Sequence, residues 1–506
     1  MAGITLDPAR SALMSVTPQW FVRIGLAFVL LAMLTHTRAD PDLWGHVFSG
    51  RDVISAGRVP TADPYSFMAD QPWINHGWLA DSVMYLVYTL TSGVGLVVLK
   101  VSVLLGMLGA VWFALTRQQV SGRDRDLLVV LVAIGAFPQS NHMRPQVFSL
   151  LLFAWLLVLL TGRVSPRRLF AIPLIFAVWV NLHGGWIIGG ATLALWTGFT
   201  IIRPGPTAAK VLLPVNGILA LAATLVNPYG WSLWAFMWNT VGFGRAEISD
   251  WQPVFRLGLA YGLLWSVVAL AAAAAAYRAW TSGERGLPRL AIVTLLGIAS
   301  FRVSRLLAFF TIAVVILLGA ELASAVRGWR RRSEATGGQP PRSVAVAVML
   351  MSAGLIGGAA FISARNLGCV RMESANHPEP DVVRLMQDRQ MRGRLAVWFD
   401  WGEYAIWYLA PALSVSIDGR RETVYSEDVM HRHLNFYYVP STRAQFLDEA
   451  RPDYIWLRSD LPVVPSLESD GWVPLYSGPR SVLLGRTGEP AVPSRTEPPS
   501  RCFPGP

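Results

Sequence analysis

The segment THTRADPDLWGHVFSGRD, residues 35–52, places Asp40, Asp42, His46 and Asp52 within thirteen residues, directly after an apolar run. The first three, Asp40, Asp42 and His46, are the candidates for proton transfer. A carboxylate or an imidazole at the boundary between lipid and water can act as a general base toward an acceptor hydroxyl group. Structural alternatives remain open: Asp42 can be the N-cap of the next helix, and His46 can bond Asp42 or face water. Which of the two acids is the base also remains open.

Basic side chains within or beside apolar runs form a second group. A cation inside a membrane is costly unless it is paired or faces a polar cavity. A guanidinium group binds phosphate with a planar fork of donors, so we expect these residues to hold the phosphate of a lipid-linked donor. The alternative for each is that the side chain extends to the lipid headgroups. The four residues are Lys100, Arg144, Arg302 and Arg305.

Polar and aromatic residues gather in three further segments, NHGWL (75–79), NLHGG (181–185) and EISDWQP (247–253). Their polar groups can hydrogen-bond the hydroxyls of a sugar or acceptor, and their indole rings can stack on it. Two alternatives remain open, namely that the Asn and His of NLHGG cap a helix end and that the two acids pair with an arginine. The candidates are His76, Trp78, Asn181, His183, Glu247, Asp250 and Trp251.

The composition indicates which elements must position these groups. The chain has 506 residues, of which 53% are hydrophobic and 15% are charged, and its mean hydropathy is +0.41. This is typical of a polytopic α-helical membrane protein, and we expect about eleven transmembrane helices, with eleven to thirteen compatible. The apolar runs are 20–36, 94–116, 126–140, 146–162, 169–182, 186–202, 211–226, 257–278, 289–302, 305–325 and 343–364.

The basic residues of the connecting segments predict the orientation. The net charge of +11 comes almost entirely from arginines, which cluster in alternate loops. Such loops face the cytoplasm, so we expect a cytoplasmic amino terminus and a retained first span. These loop arginines explain the positive net charge, so the charge does not indicate that the protein binds nucleic acid. The candidate residues named above then lie on the outer side, except Lys100, which lies about two turns into the second span from its outer end.

The first outer loop, residues 37–91, is too long for a simple connection. Amphipathic patterns at 42–57 and 77–90 predict two interfacial helices that lie along the membrane surface. With the extended turn between them, they would cover a cavity between the spans. We expect the transmembrane part to comprise residues 1–365.

The pattern changes after about residue 365. Short β-type runs alternate with helical stretches, which predicts a small extracytoplasmic α/β domain over residues 370–487. The Pro-rich segment 488–506 is expected to be disordered. Cys369 and Cys502 can pair if this part lies in an oxidising compartment, but their spacing does not decide whether they do.

These motifs give the chain a resemblance to a known class of proteins. It resembles the integral membrane glycosyltransferases of the GT-C class, in particular a bacterial subgroup whose first outer loop reads DPDLW-x-H. The resemblance covers most of the chain. It is carried by DPDLWGH (40–46), PWINHGWL (72–79), RPQVFS (144–149), WVNLHGG (179–185), NPYG (227–230), WGEY (401–404) and IDGR (417–420).

The resemblance implies a many-span fold, a polyprenyl-phosphate-linked sugar donor and a soluble outer domain that shapes access of the acceptor. It also implies an essential acid at the start of the first surface helix, which matches Asp42 best, with Asp40 as the rival. Some members hold a divalent cation, Mg²⁺ or Mn²⁺, with a second acid directly after the first, but here Leu43 stands at that position. Gly77 occupies a place where the subgroup often has a glutamate.

We therefore expect a glycosyltransferase of the bacterial plasma membrane that transfers a sugar to an envelope glycan, lipid or protein. One alternative is a flippase or carrier for lipid-linked saccharides, which would need ionisable groups near mid-membrane on repeat-related helices. Another is a non-catalytic scaffold whose outer domain recruits a partner in envelope assembly. That domain offers Asp400, Trp401, Glu403, Tyr404, Asp418, Arg420 and Arg421, although WGEY and IDGR can instead pin strands to helices.

Overall fold

The structure is a computed structural model that describes residues 8–240, 245, 248–281, 286–334, 342–373, 377–487 and 501–505. This part of the chain is mainly helical. Its helices are α1 (Pro8–Thr35), α2 (Leu43–Ala56), α3 (Trp78–Arg117), α4 (Gly122–Ser140), α5 (Gln146–Leu160), α6 (Pro166–Leu169), α7 (Ala171–Leu182), α8 (Trp186–Ile202), α9 (Thr207–Ala223), α10 (Trp231–Thr240), α11 (Leu259–Thr281), α12 (Leu287–Arg302), α13 (Leu307–Glu334), α14 (Arg342–Leu367), α15 (Pro380–Asp388), α16 (Gly402–Leu409), α17 (Glu427–Tyr438), α18 (Arg443–Ala450) and α19 (Val464–Ser469).

Each apolar run of the sequence coincides with a helix, with ends that differ by a few residues. The runs lie in α1, α3, α4, α5, α7, α8, α9, α11, α12, α13 and α14. Within the described residues, four segments are long and apolar enough to cross a membrane: Trp78–Arg117, Leu259–Thr281, Ser304–Gly328 and Val346–Leu367. Four further apolar segments of the described residues are shorter than the about 20 residues that a perpendicular span requires: Trp20–Thr35, Gln146–Leu160, Trp186–Ile202 and Thr207–Ala223. The presence of the helices is therefore confirmed, whereas eleven spans remain a prediction.

Helix α13 lies at the centre of the helical bundle. In the most apolar part of Ser304–Gly328, 89% of the residues are buried, against 17% for Val346–Leu367 of α14. The burial arises because α13 packs against α4, α5, α11 and α12. The outer helices instead expose large apolar side chains, such as Leu263 and Phe361, as helices that face lipid do.

The first predicted outer loop contains α2 and the beginning of α3. A Cβ atom added at Gly50 would lie 2.1 Å from the carbonyl oxygen of Asp81, so this glycine allows the two helices to approach closely. Ser92 has a φ of 54° and breaks α3 between the two helices that the pattern predicts at 77–90 and 94–116. Both predicted helices are present, and their position along a membrane surface remains a prediction.

The C-terminal domain contains a five-stranded mixed sheet with the order β2-β1-β3-β5-β4. Its strands are β1 (Gly393–Val397), β2 (Leu413–Val415), β3 (Tyr454–Arg458), β4 (Val473–Ser477) and β5 (Ser481–Gly485). Strand β1 pairs in parallel with β2 and β3, and β5 pairs antiparallel with β3 and β4. Strands β1, β2, β3 and β5 match the four β-type runs of the sequence, LAVWF (395–399), LSVSI (413–417), YIWL (454–457) and SVLLG (481–485). The pattern missed β4, where Pro474 interrupts a strand-like sequence.

The loop between α2 and α3 joins the C-terminal domain to the helical bundle. The amide of Phe67 donates to the carbonyl of Val415 at 3.1 Å, and the amide of Val415 donates to the carbonyl of Tyr65 at 2.9 Å. The loop thereby continues the sheet beyond its edge strand β2. Asp63 of the loop also forms a buried ion pair with Arg420, at 2.7 Å. The C-terminal domain thus fixes this loop in place.

Residues 501–505 form a strap that packs behind α2. Cys502 forms a disulfide with Cys369. The carbonyl of Pro504 accepts hydrogen bonds from the indole of Trp44, at 3.0 Å, and from the hydroxyl of Tyr408, at 2.7 Å. The expectation of disorder over 488–506 is therefore wrong for the strap. Its disulfide joins two residues that are 133 positions apart in the sequence. Residues 488–500 and 506 lie outside the described part.

Candidate active site

A cavity of about 530 Å³ lies where α2, loops from one end of the helical bundle and the C-terminal domain meet. Asp42 and Arg305, from opposite ends of the transmembrane sequence, both line it. Of the residues that the sequence singles out as candidate site residues, the cavity brings together Asp42, His46, His76, Arg144, His183, Trp251 and Arg305.

Asp42 occupies the N-cap position of α2, but its side chain makes no capping hydrogen bond. The amide of Asp42 instead donates to the carboxylate of Asp40 at 2.9 Å. The Asp42 carboxylate is left to face the cavity, where its side chain is 35% exposed. Burial in the fold, together with the negative charge of Asp40, raises the pKa of Asp42 to about 7. A carboxyl group with this pKa suits proton transfer near neutral pH.

Arg144 lines the cavity but is surrounded by carboxylates. Its guanidinium pairs with Asp40 and, at 2.9 Å, with Asp250, and it lies 3.7 Å from Asp42. Burial alone would raise the pKa of Asp40, but Arg144 and His142 hold it below its ordinary value. Asp40 and Asp250 thus compensate the charge of Arg144. For Asp250, the structure shows the alternative given above, a pair with an arginine.

His46 bonds a residue that the sequence analysis did not single out. Its Nδ1 lies 2.8 Å from Oδ1 of Asp81 on α3, so the partner of this nitrogen is Asp81 and not Asp42. The other carboxylate oxygen of Asp81 accepts from the amide of Asn75 at 2.9 Å. The only signal for Asp81 in the sequence is an isolated acid in the otherwise apolar stretch GWLADSVMYL.

Trp251 lies between two arginines. Its ring centroid is 4.3 Å from the guanidinium carbon of Arg245 and 5.0 Å from that of Arg305. Arg245 pairs with Glu422 at 2.8 Å. Arg305 donates to the amide oxygen of Gln146 at 3.1 Å, and no carboxylate of the described residues lies within ion-pair distance of it. Arg305 is therefore a cation beside the cavity with a neutral partner, which suits an anionic ligand.

His183 and His76 add imidazole groups to the cavity. Nδ1 of His183 accepts from the amide of Gly185 at 3.0 Å. The neutral ring of His183 therefore carries its proton on Nε2 and can donate from there. Burial and the charge of Arg305 hold the pKa of His183 well below its ordinary value, which keeps the ring neutral. Nδ1 of His76 is buried without a hydrogen-bond partner among the described residues.

Two residues predicted to bind a sugar lie outside the cavity and bond each other. The indole of Trp78 donates to the amide oxygen of Asn181 at 2.8 Å. The amide nitrogen of Asn181 donates to the carbonyls of Ala177 and Val226, both at 2.8 Å. Their polar groups are thus used to join elements of the bundle.

Two of the predicted phosphate-binding residues also lie away from the cavity. Lys100 is buried within α3 and donates to the carbonyl of His36 at 2.6 Å. Arg302 is exposed at the end of α12.

Glu247, which was predicted to bind the sugar or acceptor, lies outside the described residues.

The C-terminal domain supplies Glu403, Gly419 and residues 420–423 to the cavity wall. The motifs WGEY and IDGR pack against each other, since a Cβ atom added at Gly402 would lie 2.1 Å from the carbonyl oxygen of Ile417. From the sequence, these motifs could either hold strands against helices or belong to a surface that recruits a partner. They do pin the fold, and they also complete the cavity.

The acids of the site do not form the cluster that a metal ion needs. In the described part of the chain, no three His, Cys, Asp or Glu side chains gather as ligands for a metal ion. Asp40 and Asp42 both face Arg144. This donor set does not fit the divalent cation used by some GT-C members.

Comparison by sequence finds no matching family model and no matching curated protein. Comparison of the fold finds the crystal structure of ArnT from Cupriavidus metallidurans bound to undecaprenyl phosphate. The TM-score is 0.54 at 14% identity, and the match covers 94% of this chain and 99% of that chain. The apo state of the same protein matches with a TM-score of 0.54 at 15% identity, covering 94% and 98%.

At this level of identity the likeness shows the fold alone, which is the GT-C membrane fold. The expected fold class is thereby confirmed in its coarse form, a helical membrane protein with a small C-terminal sheet. The narrower subgroup defined by DPDLW-x-H remains a prediction.

Proposed function

We propose that the protein is a glycosyltransferase that moves a sugar from a polyprenyl-phosphate-linked donor to an acceptor hydroxyl at the membrane surface. The observation that carries the proposal is that the Asp42 carboxyl group and the Arg305 guanidinium line one cavity. A base and an anion-binding group that line the same cavity suit this transfer, because one substrate loses a proton and the other releases a phosphate.

In the proposed reaction, the Asp42 carboxylate accepts the proton of the acceptor hydroxyl. The oxygen of that hydroxyl forms a bond to the anomeric carbon of the sugar as the bond from this carbon to the phosphate oxygen breaks. The polyprenyl phosphate leaves with the electron pair. Arg305 and the Nε2–H of His183 would stabilise its negative charge, and Trp251 would contact the sugar.

The lipid part of the donor is supported by the fold comparison. The ArnT structure with the same fold is bound to undecaprenyl phosphate. The apolar helices of the bundle provide a membrane setting in which a prenyl chain dissolves. The acceptor that we propose is an envelope glycan, lipid or protein.

We place the cavity and the C-terminal domain on the outer side of a bacterial plasma membrane, with the amino terminus in the cytoplasm. The loop arginines support this orientation. The Cys369–Cys502 disulfide supports it independently, because disulfides persist in oxidising compartments.

The test is sugar transfer by the purified protein in lipid nanodiscs, with undecaprenyl-phosphate-linked radiolabelled sugars and an envelope extract as acceptor. Transfer should disappear in Asp42→Asn and persist in Asp388→Asn, a change at an exposed acid of the C-terminal domain. Full transfer by Asp42→Asn would refute the assignment of the base. Movement of the labelled lipid across vesicles without transfer would instead establish the carrier alternative.

A further inference from the structure

Glu403 of the C-terminal domain is a carboxyl group near Asp42 that the proposed reaction does not use. It lies in the first turn of α16, it lines the cavity, and the residue is only 4% exposed. Its Oε2 accepts a hydrogen bond from the amide of Gly45 in α2, at 2.9 Å. Glu403 thus reaches across the boundary between the two parts of the protein.

Two glycines allow this approach. A Cβ atom added at Gly45 would lie 1.9 Å from Oε2 of Glu403, which leaves no room for a side chain. A Cβ atom added at Gly419 would lie 2.3 Å from Oδ1 of Asp42 and 3.2 Å from Oε1 of Glu403. The carboxyl groups of Asp42 and Glu403 therefore both lie next to Gly419. The oxygen of Glu403 near Gly419 is Oε1, whereas Oε2 accepts from the amide of Gly45.

The nearby cations are already engaged with other acids. Arg420 pairs with Asp418 and with Asp63, each at 2.7 Å. Arg144 pairs with Asp40 and Asp250. Within the part of the chain that the structure describes, Glu403 is left with one neutral amide donor, which stabilises a carboxylate charge much less than an ion pair does.

We propose that Glu403 is held in its neutral acid form and donates a hydrogen bond from Oε1 toward the Asp42 carboxylate. The C-terminal domain would then supply a positioning residue for the base, and the site would be complete only when both parts of the chain are present. The role in catalysis rests on the proposed function, whereas the protonation state of Glu403 does not.

The charged groups around Glu403 favour this state. Two adjacent carboxyl groups cannot both ionise without a compensating cation, so one of them keeps a proton. Burial and the negative charges of Asp42 and Asp418 raise the pKa of Glu403 well above its ordinary value, against the opposing effect of Arg420. The titratable and charged groups that face this pair are Asp40, His46, Arg144, Asp400, Asp418 and Arg420.

Infrared spectroscopy of the purified full-length protein in nanodiscs tests the inference without a substrate. At about pH 7.5 an ordinary glutamate is ionised, so a C=O band of a protonated carboxylic acid marks a retained proton. Asp42 and Asp400, whose pKa values are also raised, contribute to the same band. We therefore expect a loss of band intensity in the difference spectrum between the wild type and Glu403→Gln, and no change in Glu468→Gln, which alters an exposed glutamate of the same domain. A missing band in the wild type, or equal band intensity in Glu403→Gln, would overturn the proposal.

Labelling all glutamate carboxyl groups with ¹³C gives the same answer if Glu403→Gln does not fold. This labelling moves only glutamate bands, so the part of the band that comes from Glu403 should move to lower frequency while any aspartate part stays in place. If no part of the band moves, the proposal is overturned.

The pH dependence of sugar transfer tests the link to Asp42. Glutamine also donates a hydrogen bond, so Glu403→Gln should keep the acid limb of the profile in place. Glu403→Leu removes the donor to ionised Asp42 and should move that limb to higher pH. A shift to lower pH in Glu403→Gln would show that Glu403 is ionised and would refute the inference. A band assigned to Glu403 without any transfer would count against the proposed function alone.

Discussion

The imidazole of His46 is held by the carboxylate of Asp81, with 2.8 Å between Nδ1 and Oδ1. Asp81 comes from α3 and is itself held by the amide of Asn75. When Nδ1 donates to Asp81, the neutral ring of His46 presents Nε2 as an acceptor. His46 lines the cavity beside Asp42, so the site has two groups that can accept a proton.

Asp81→Asn tests this pair through the pH profile of sugar transfer. Burial alone would lower the pKa of His46, but Asp81 raises it above its ordinary value. If neutral His46 takes part in the reaction, the variant should lose roughly 10²-fold in rate, and its acid limb should move to lower pH. Asp388→Asn is the matched control. An unchanged rate and profile in Asp81→Asn would show that Asp81 serves only to pack α2 against α3.

Asp42→Asn should reduce the activity of the protein, whereas Asp40→Asn should reduce its stability. Asp42 faces the cavity, so its variant should lose transfer and keep its fold. Asp40 compensates buried Arg144, so Asp40→Asn should reduce the free energy of unfolding by about 3 kcal/mol. Thermal unfolding and transfer, measured on the same preparations, separate the two. A stable Asp40→Asn protein without transfer would make Asp40 the base instead.

The same two acids predict opposite dependences of stability on pH. The pKa of Asp40 is lower in the fold than in the unfolded chain, so its stabilisation is present at neutral pH and is lost as the pH falls through its folded pKa. The pKa of Asp42 is raised to about 7, so this group destabilises the fold as the pH rises from its ordinary pKa toward 7. Asp42→Asn should therefore flatten that part of the stability profile. An unchanged profile would contradict the raised pKa.

The helices could be predicted from the sequence because apolar periodicity is a local property. Runs such as 186–202 give helix α8 with the same bounds. The partners of the site residues could not be predicted in this way. Arg144 and Arg305 look alike in the sequence, but the loop that carries Asp250 brings a carboxylate within ion-pair distance of Arg144 and not of Arg305. Similarly, His46 bonds Asp81 because Gly50 allows α2 and α3 to approach, a contact that no spacing along one helix encodes.

The strap should stabilise the fold through its disulfide. Cys502→Ser releases residues 501–505, whose Pro504 accepts a hydrogen bond from Trp44 on α2. We expect a loss of about 2–4 kcal/mol, seen as a lower midpoint of thermal unfolding. Cys369→Ser and the double variant should give the same midpoint as Cys502→Ser, because each removes the same bond. Equal midpoints for the wild type under oxidising and reducing conditions would contradict the prediction.

Arg305 and Arg302 form a natural pair of test and control for binding of the lipid phosphate. Arg305 lines the cavity with a neutral amide as its partner, whereas Arg302 is exposed at the end of α12. Arg305→Gln should weaken binding of undecaprenyl phosphate, measured by native mass spectrometry, by about tenfold or more, since a charge-assisted bond contributes about 1.5–3 kcal/mol. Arg302→Gln removes the same charge and should bind like the wild type. Equal losses in both variants would mean that overall charge attracts the lipid, and no loss in Arg305→Gln would place the phosphate elsewhere.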